Sequence, residues 1–476
     1  MLSKAKSDFL LGKIRDGSEM TRAEKLNLIY MLSIPSILAQ ITSVMMFFID
    51  QAMVARIGVE ASAACGLVES STWLFGSLTT AASMGFSVQV AHFIGASDFQ
   101  QARSVFRHGL LCTTLFSVLL GIGGIAVSGS LPYWLGGQAD IAADATIYFM
   151  VFMFVMPFFQ LNNLSGAMLK CAGNMRVPSV MNVVMCVMDV IFNYILIFIF
   201  HLGVLGAALG TALAIVIAAC VQAYFAIFRS EILSLVSYPH HQVASHNEDH
   251  AEGSSSFTFN TSYLLNAVKI SLPMAAQSLL MSGAQIVSTV IVAPLGKFAI
   301  AANTFAITAE SLCYMPGFGI GEAATTLVGQ SMGAQRKGLC ISFARMSVFT
   351  GMLVMTLMGV IMYLTAPELM GLMTPVDSIR DLGARCLRIE AFAEPFFAAS
   401  IVAYSVFVGA GDTLRPAVIN LGSMWLVRLT LAALLAKSYG LPGVWFAMAV
   451  ELTFRGVLFL IHLFRGRWMK LKEVPS

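Results

Sequence analysis

Charge is what this sequence has least of: only 11% of its 476 residues are Asp, Glu, Lys or Arg, against 58% hydrophobic residues and a mean hydropathy of +0.80. A soluble domain of this size has no use for so much apolar sequence, so the chain reads as a polytopic membrane protein. Alternating ten-residue stretches of the barrel type are absent, which leaves helices as the spanning elements. The eight cysteines include no CxxC pair and mostly lie in or beside apolar runs, where thiols pack as small hydrophobes; no disulfide framework is expected. The N-terminus, MLSKAKSDFLLGKIRDGSEMTRAEK, is charged throughout and lacks a signal peptide's cleavage site after an apolar core, so it is expected to stay attached and cytoplasmic. Missing as well are a GxxxxGK[ST] nucleotide loop, an HExxH pair, a GxSxG elbow and any soluble segment large enough for an ATPase. These absences argue against an enzyme and against ATP as a driving force. Transport would have to draw on an ion gradient, with no cofactor beyond the coupling ion and no nucleic-acid partner.

What is present is a series of twelve apolar runs, centred near residues 40, 77, 119, 157, 188, 214, 280, 312, 355, 399, 427 and 453. With the N-terminus cytoplasmic, twenty Lys and Arg residues fall on that side and six on the other, with Arg428 and Arg455 inside spans. The positive-inside bias places both termini in the cytoplasm of a multi-pass plasma (inner) membrane protein. The longest polar break, 230–262, falls between spans six and seven and reads as a cytoplasmic linker. Its histidines His240, His241, His246 and His250 fit a solvated connection better than a metal site.

Two halves flank this linker and match at an offset of 238: Ser33 and Pro35 recur as Ser271 and Pro273, Gly58 as Gly296, Gly95-Ala96 as Gly333-Ala334, and Ala172-Gly173 as Ala410-Gly411. Gly203 and Gly206 return as Gly440 and Gly443 at 237. Six spans per half is an even number, so both halves start on the same side and are related by an axis along the membrane normal. The expected fold is all-α, with twelve transmembrane helices in two pseudo-symmetric six-helix lobes around a central cleft. The boundaries are an N-terminal segment 1–27, an N-lobe 28–229, the linker, a C-lobe 263–464 and a tail 465–476.

Asp50 is the only charge between Ser33 and Ala55. At membrane depth a carboxylate costs about 2.5 to 3.5 kcal/mol on insertion scales, so it is expected to face a cavity or a partner. Ser36, Gln40, Ser43 and Asp50 share one helical stripe, and Pro35 marks a bend or the entrance of the span. In span five, Asn182, Asp189 and Asn193 form a second stripe that could complete a polar pocket with Asp50, where desolvation disfavours the charged form. The competing reading is a carboxylate satisfied in a helix contact. The repeat separates mechanism from scaffold: Asp50 maps onto Ser288, so the N-lobe carboxylate is not duplicated. The C-lobe has its own acids, Glu310 and Glu322 in span eight, Glu390 and Glu394 in span ten and Glu451 in span twelve. Glu310 and Glu394 are candidates for a pathway role, and Arg428 and Arg455 are candidate partners for these acids.

These residues resemble the multidrug and toxic compound extrusion (MATE) family over about Lys25 to Arg465. The match rests on Pro35 and Asp50 fifteen residues apart, the paired tracts CAGNMRVPSVMN and GAGDTLRPAVIN, FNYILIF followed by GVLGAALGTALA, and ATTLVGQSMGA. The resemblance implies export of bulky, often cationic compounds in exchange for protons or sodium ions. By it, Asp50 looks like the N-lobe cation-binding aspartate, Asn193 and Thr211 like its neighbours, and Pro35 like the hinge of DinF-like members. Family members with a complete N-lobe sodium site carry a second aspartate where this chain has Ile197, and the seventh-helix glutamate of NorM-like members aligns with Met281. Both departures favour protons, with Asp189 able to rescue a sodium site.

The leading expectation is therefore a proton-coupled efflux antiporter working as a monomer on small-molecule drugs or toxic organic cations. Its cation or proton site would be Asp50, Asn193, Asp189 and Thr211, its hinge Pro35, and its pathway Gln40, Ser43, Asn182, Glu310 and Glu394. A flippase for lipid-linked sugars would be expected to show more basic residues in the N-lobe cavity. An integral membrane enzyme such as a prenyl transferase would need Asp-rich metal motifs, which are absent.

Overall fold

The computed structural model describes residues 2–235 and 259–469, and all the regular structure in them is helical. Most of the linker, with its four histidines, and the last residues of the tail lie outside the described residues.

An N-terminal helix α1 (Leu2–Arg15) precedes the first span, α2 (Arg22–Ala55). A capping box starts α2: Thr21 Oγ1 accepts from the Glu24 amide at 3.2 Å, and the Glu24 carboxylate accepts from the Thr21 amide at 2.9 Å. The N-lobe continues with α3 (Val59–Gly95), α4 (Phe99–Val127), the short α5 (Leu131–Trp134), α6 (Ala139–Cys171), α7 (Arg176–Tyr194) and α8 (Gly203–Tyr224). The C-lobe follows with α9 (Thr261–Val292), α10 (Lys297–Gly333), α11 (Lys337–Met373), α12 (Asp377–Glu390), α13 (Glu394–Gly409), α14 (Leu414–Gly422) and α15 (Leu429–Arg465).

By length and apolarity alone eight helical stretches qualify as spans, or nine with α12 and α13 counted as one span bent by 61°. Two further spans are α3 and α10, 37 residues each, which contribute many of the contacts between the lobes. The twelfth arises because α15 is two helices fused across Gly440, whose φ of 63° and ψ of −143° suit glycine. Twelve spans in two lobes result.

The duplication is visible in the backbone. Ser97 and Gln335, related by the 238-residue offset, are two of the three non-glycine residues with positive φ among those described, at 61° and 57°. Gly173 and Gly411, related in the same way, end α6 and α13 in the left-handed conformation, at φ 88° and 81°.

Between the lobes α2 packs on α10 and α3 on α9 and α10. Close approach is set by paired glycines: a methyl group at Gly95 would run into the Gln330 carbonyl, and one at its repeat mate Gly333 into the His92 carbonyl. In a bilayer, where burial of apolar surface drives little association between helices, such small-residue contacts let backbones interlock. Gln330 Nε2 donates to the Cys171 carbonyl at 2.8 Å, and His92 Nε2 lies 2.8 Å from the Gly409 carbonyl. Both pairs obey the 238-residue offset, so each lobe caps a helix C-terminus of the other.

Every hydrogen bond recorded between the lobes among the described residues falls in the half of the molecule nearest the N-terminus. The lobes are joined there. Helix α1 lies across the joint. Leu10, Leu11 and Ile14 are buried with Leu28 and Leu32 of α2, Met175 of the N-lobe and Leu339 and Phe343 of α11. Arg336 Nη1 donates to the Lys13 carbonyl at 2.8 Å, satisfying the end of α1. The N-terminal charge pattern thus conceals an amphipathic helix.

Candidate functional site

Asp50 ends the polar stripe of α2 and meets α7. Asn193 Nδ2 donates to Asp50 Oδ1 at 3.0 Å and to Asp189 Oδ2 at 3.3 Å, so one amide bridges two carboxylates from two helices. Asp189 and Asn193 are buried, Asp50 half-buried. Thr211 of α8 lies beside Asp189. Among the described residues Asp189 Oδ1 and Asn193 Oδ1 have no hydrogen-bond partner, although each is closed off from solvent. Two neighbouring carboxylates with spare oxygens and no basic side chain hydrogen-bonded to them call for a positive occupant, a proton or a metal cation.

Gly210 makes this geometry possible. A Cβ there would collide with Asn193 Oδ1, so α8 can approach α7 only with glycine at that position. The sequence reading did not single out Gly210, although the small-xxx-small spacing of Gly206 and Gly210 signals such contact. Ile197 sits in a π-helical turn, Ile195–Ile199, buried in an apolar cluster with Val54, Cys65 and Val204. Met281 packs near Ala284, Met424 and Leu429. Neither position supplies a ligand.

The other candidates fall in three places. Gln40 and Asn182 line a cavity of about 370 Å³ between the lobes, with Asn163 and Lys170 from the N-lobe and Glu322 and Tyr404 from the C-lobe. Asn182 therefore does not join Asp50, as the span-five stripe suggested. Ser43 spends its hydroxyl on the Ala39 carbonyl of its own helix at 3.0 Å, and Ser36, expected on a wet face, is fully buried with its hydroxyl on Met175 Sδ at 3.6 Å. Glu310 and Glu394 lie with Glu390 in the C-lobe interior, outside that cavity's lining; Glu394 sits beside Cys313, and neither oxygen of Glu390 has a hydrogen-bond partner among the described residues. Glu451 pairs with Arg455 at 3.2 Å, the i,i+4 arrangement expected of it. Helix α2 runs unbroken through Pro35.

Lys170, one of the twenty basic residues the sequence places on the cytoplasmic side, also lines the cavity, where Nζ meets Glu322 Oε1 at 2.6 Å. It lies in the last turn of α6, a short connection before α7 begins at Arg176, and so reads as a flanking charge. The signal that could have found it is the one that singled out Asp50: its repeat mate, Val408, is apolar.

Twelve spans in two like lobes, a cavity between them and an isolated acid pair within a lobe define a polytopic membrane transporter. The MatE family profile matches residues 35–195 and 273–434, most of both lobes. The chain belongs to the MatE family. Among curated relatives, a probable multidrug resistance protein NorM of Thermotoga maritima is 24% identical over 92% of each chain. One of the same name from Pseudomonas syringae pv. tomato is 25% identical over 94% of this chain and 96% of its own. In fold the chain is similar to a MOP superfamily transporter from Pyrococcus furiosus, with a TM-score of 0.86, 20% identity and coverage of 94% and 97%. A variant of the Vibrio cholerae MATE transporter VcmN superposes with the same TM-score at 17% identity, covering 94% and 99%.

Proposed function

We propose that this protein is a secondary active multidrug efflux antiporter of the cytoplasmic membrane that exports organic, often cationic compounds in exchange for protons. The names of the curated relatives support drug export. The observation that carries the exchange is the Asn193 amide shared by Asp50 and Asp189. A proton taken up by the pair halves its negative charge, weakens its attraction for a cation and changes what α2 and α7 hold between them. Proton and cationic substrate then favour different states, which is the thermodynamic requirement of antiport. With both termini cytoplasmic, as the distribution of basic residues favours, the cleft faces away from the cytoplasm and the joined half is the closed inner gate.

A second reading has a specific observation behind it. Asp189 Oδ1 and Asn193 Oδ1, both buried and unpartnered, with Asp50 and Thr211 close by, form a set of oxygens that suits a small hard cation such as sodium. Ethidium efflux from proteoliposomes separates the two. A pH gradient imposed without sodium should drive it, and a requirement for sodium with indifference to pH would assign the site to sodium instead.

A further inference from the structure

Three residues one turn apart on α10, Glu322, Thr326 and Gln330, grip the end of α6 across the lobe boundary. Glu322 Oε1 meets Lys170 Nζ at 2.6 Å, Thr326 Oγ1 donates to the Lys170 carbonyl at 3.1 Å, and Gln330 Nε2 donates to the Cys171 carbonyl at 2.8 Å. At the 238-residue offset the mates of Lys170 and Glu322 are Val408 and Met84, which belong to one apolar cluster with Val88 and Ile270. On the pseudo-symmetric side, where His92 and the Gly409 carbonyl repeat the Gln330 contact, apolar packing therefore stands in place of the ion pair. An ion pair is not needed to hold the lobes together, and desolvating two charges there is costly. Nor is this pair sealed away: both residues line the cavity between the lobes and both side chains are partly exposed, while Gln40 Nε2 donates to the same Glu322 Oε1 at 3.0 Å and the buried Glu322 Oε2 has no partner among the described residues.

We propose that Lys170 is a tethered counter-cation that displaces a cationic substrate from Glu322 as the inner gate closes. This rests on the antiporter reading above. Lys170 belongs to the N-lobe and Glu322 to the C-lobe, so parting the lobes on the inner side separates them. The carboxylate is then left facing the cavity with no positive partner, a receptor for an organic cation arriving from the cytoplasm. Closing the gate returns the ammonium to within hydrogen-bond distance of the carboxylate, and two cations cannot share it. The substrate loses its counter-charge when the cleft has opened outward. A flexible lysine stem carrying a compact point charge suits a group that must dock and undock.

The test is equilibrium binding and proteoliposome efflux of ethidium with the purified full chain. K170Q should bind ethidium on the order of tenfold more tightly and export it more slowly, because release loses its competitor. E322Q should bind more weakly, and K170Q added to E322Q should change affinity no further. K170V/E322M copies the residues that already pack at the symmetry-related contact. It should fold and close, yet bind and export ethidium poorly. Affinity unchanged or weakened in K170Q, or wild-type ethidium export by K170V/E322M, would overturn the proposal and leave the antiporter reading standing. Wild-type protein that neither binds nor exports ethidium would remove both.

Discussion

Asp50 gains its meaning from what touches it. An isolated carboxylate at membrane depth is visible in the sequence, because a single acid stands out in a long apolar run and is costly to place there. Its partner Asp189 was visible too, one turn before Asn193 on α7, but spacing along one helix says nothing about which helix it faces. The structure supplies that link through the shared amide of Asn193. Asp50→Asn keeps the size and removes the titrating group, so ethidium efflux driven by a pH gradient should fall by on the order of tenfold or more while the protein still reaches the membrane. Wild-type rates from purified Asp50→Asn would show that the site is structural. Asp189→Asn asks the ion question at the same scale: under proton coupling it should retain part of the transport, since one carboxylate suffices for one proton. Glu322 was noted only as one of several acids in the C-lobe and Lys170 only as a flanking charge. What hid them is that an ion pair across two lobes has no sequence signature in either half.

Among the elements, α2 and the α7–α8 contact position the site. Pro35 removes an amide donor from α2, yet the helix runs through it without a break, with Ser33 and Ser36 buried beside it. On the proposed mechanism this proline is the weak point at which α2 bends. Pro35→Ala should lower the rate of ethidium efflux more than the affinity for ethidium; equal rates would make the proline a matter of packing only. Gly210→Ala tests the other contact. Its methyl group must push Asn193 away from the two carboxylates, with an overpacking cost of about 1 to 3 kcal/mol. A lowered melting temperature together with lost pH-driven transport is expected, whereas unaltered transport would mean that Asn193 does not organise the acid pair. Elements were less legible than residues. Helix α1 read as a charged tail because its apolar residues are few, and only their docking on α2 and α11 shows that they form one face. The fusion across Gly440 and the bend between α12 and α13 blur span ends that apolar runs alone cannot fix.

At the scale of the whole molecule the duplication was the most legible feature, because glycines and prolines that set turns and helix approaches must recur when a fold repeats. The paired turn conformations at Ser97 and Gln335 and at Gly173 and Gly411 are its structural counterpart. The conformation was not legible, since the same contacts can be made or broken without changing a residue. Here the lobes are joined on the N-terminal side, and the proposed proton coupling requires that protonation within one lobe alter the contact between both. The central claim is that proton and cationic substrate exclude one another through Asp50 and Asp189. Counting protons released when ethidium binds to the purified protein in weakly buffered solution tests it most directly. Wild-type protein should release protons in proportion to bound ethidium, and Asp50→Asn should release far fewer; ethidium binding with no proton release, or equal release from the two proteins, would contradict the account.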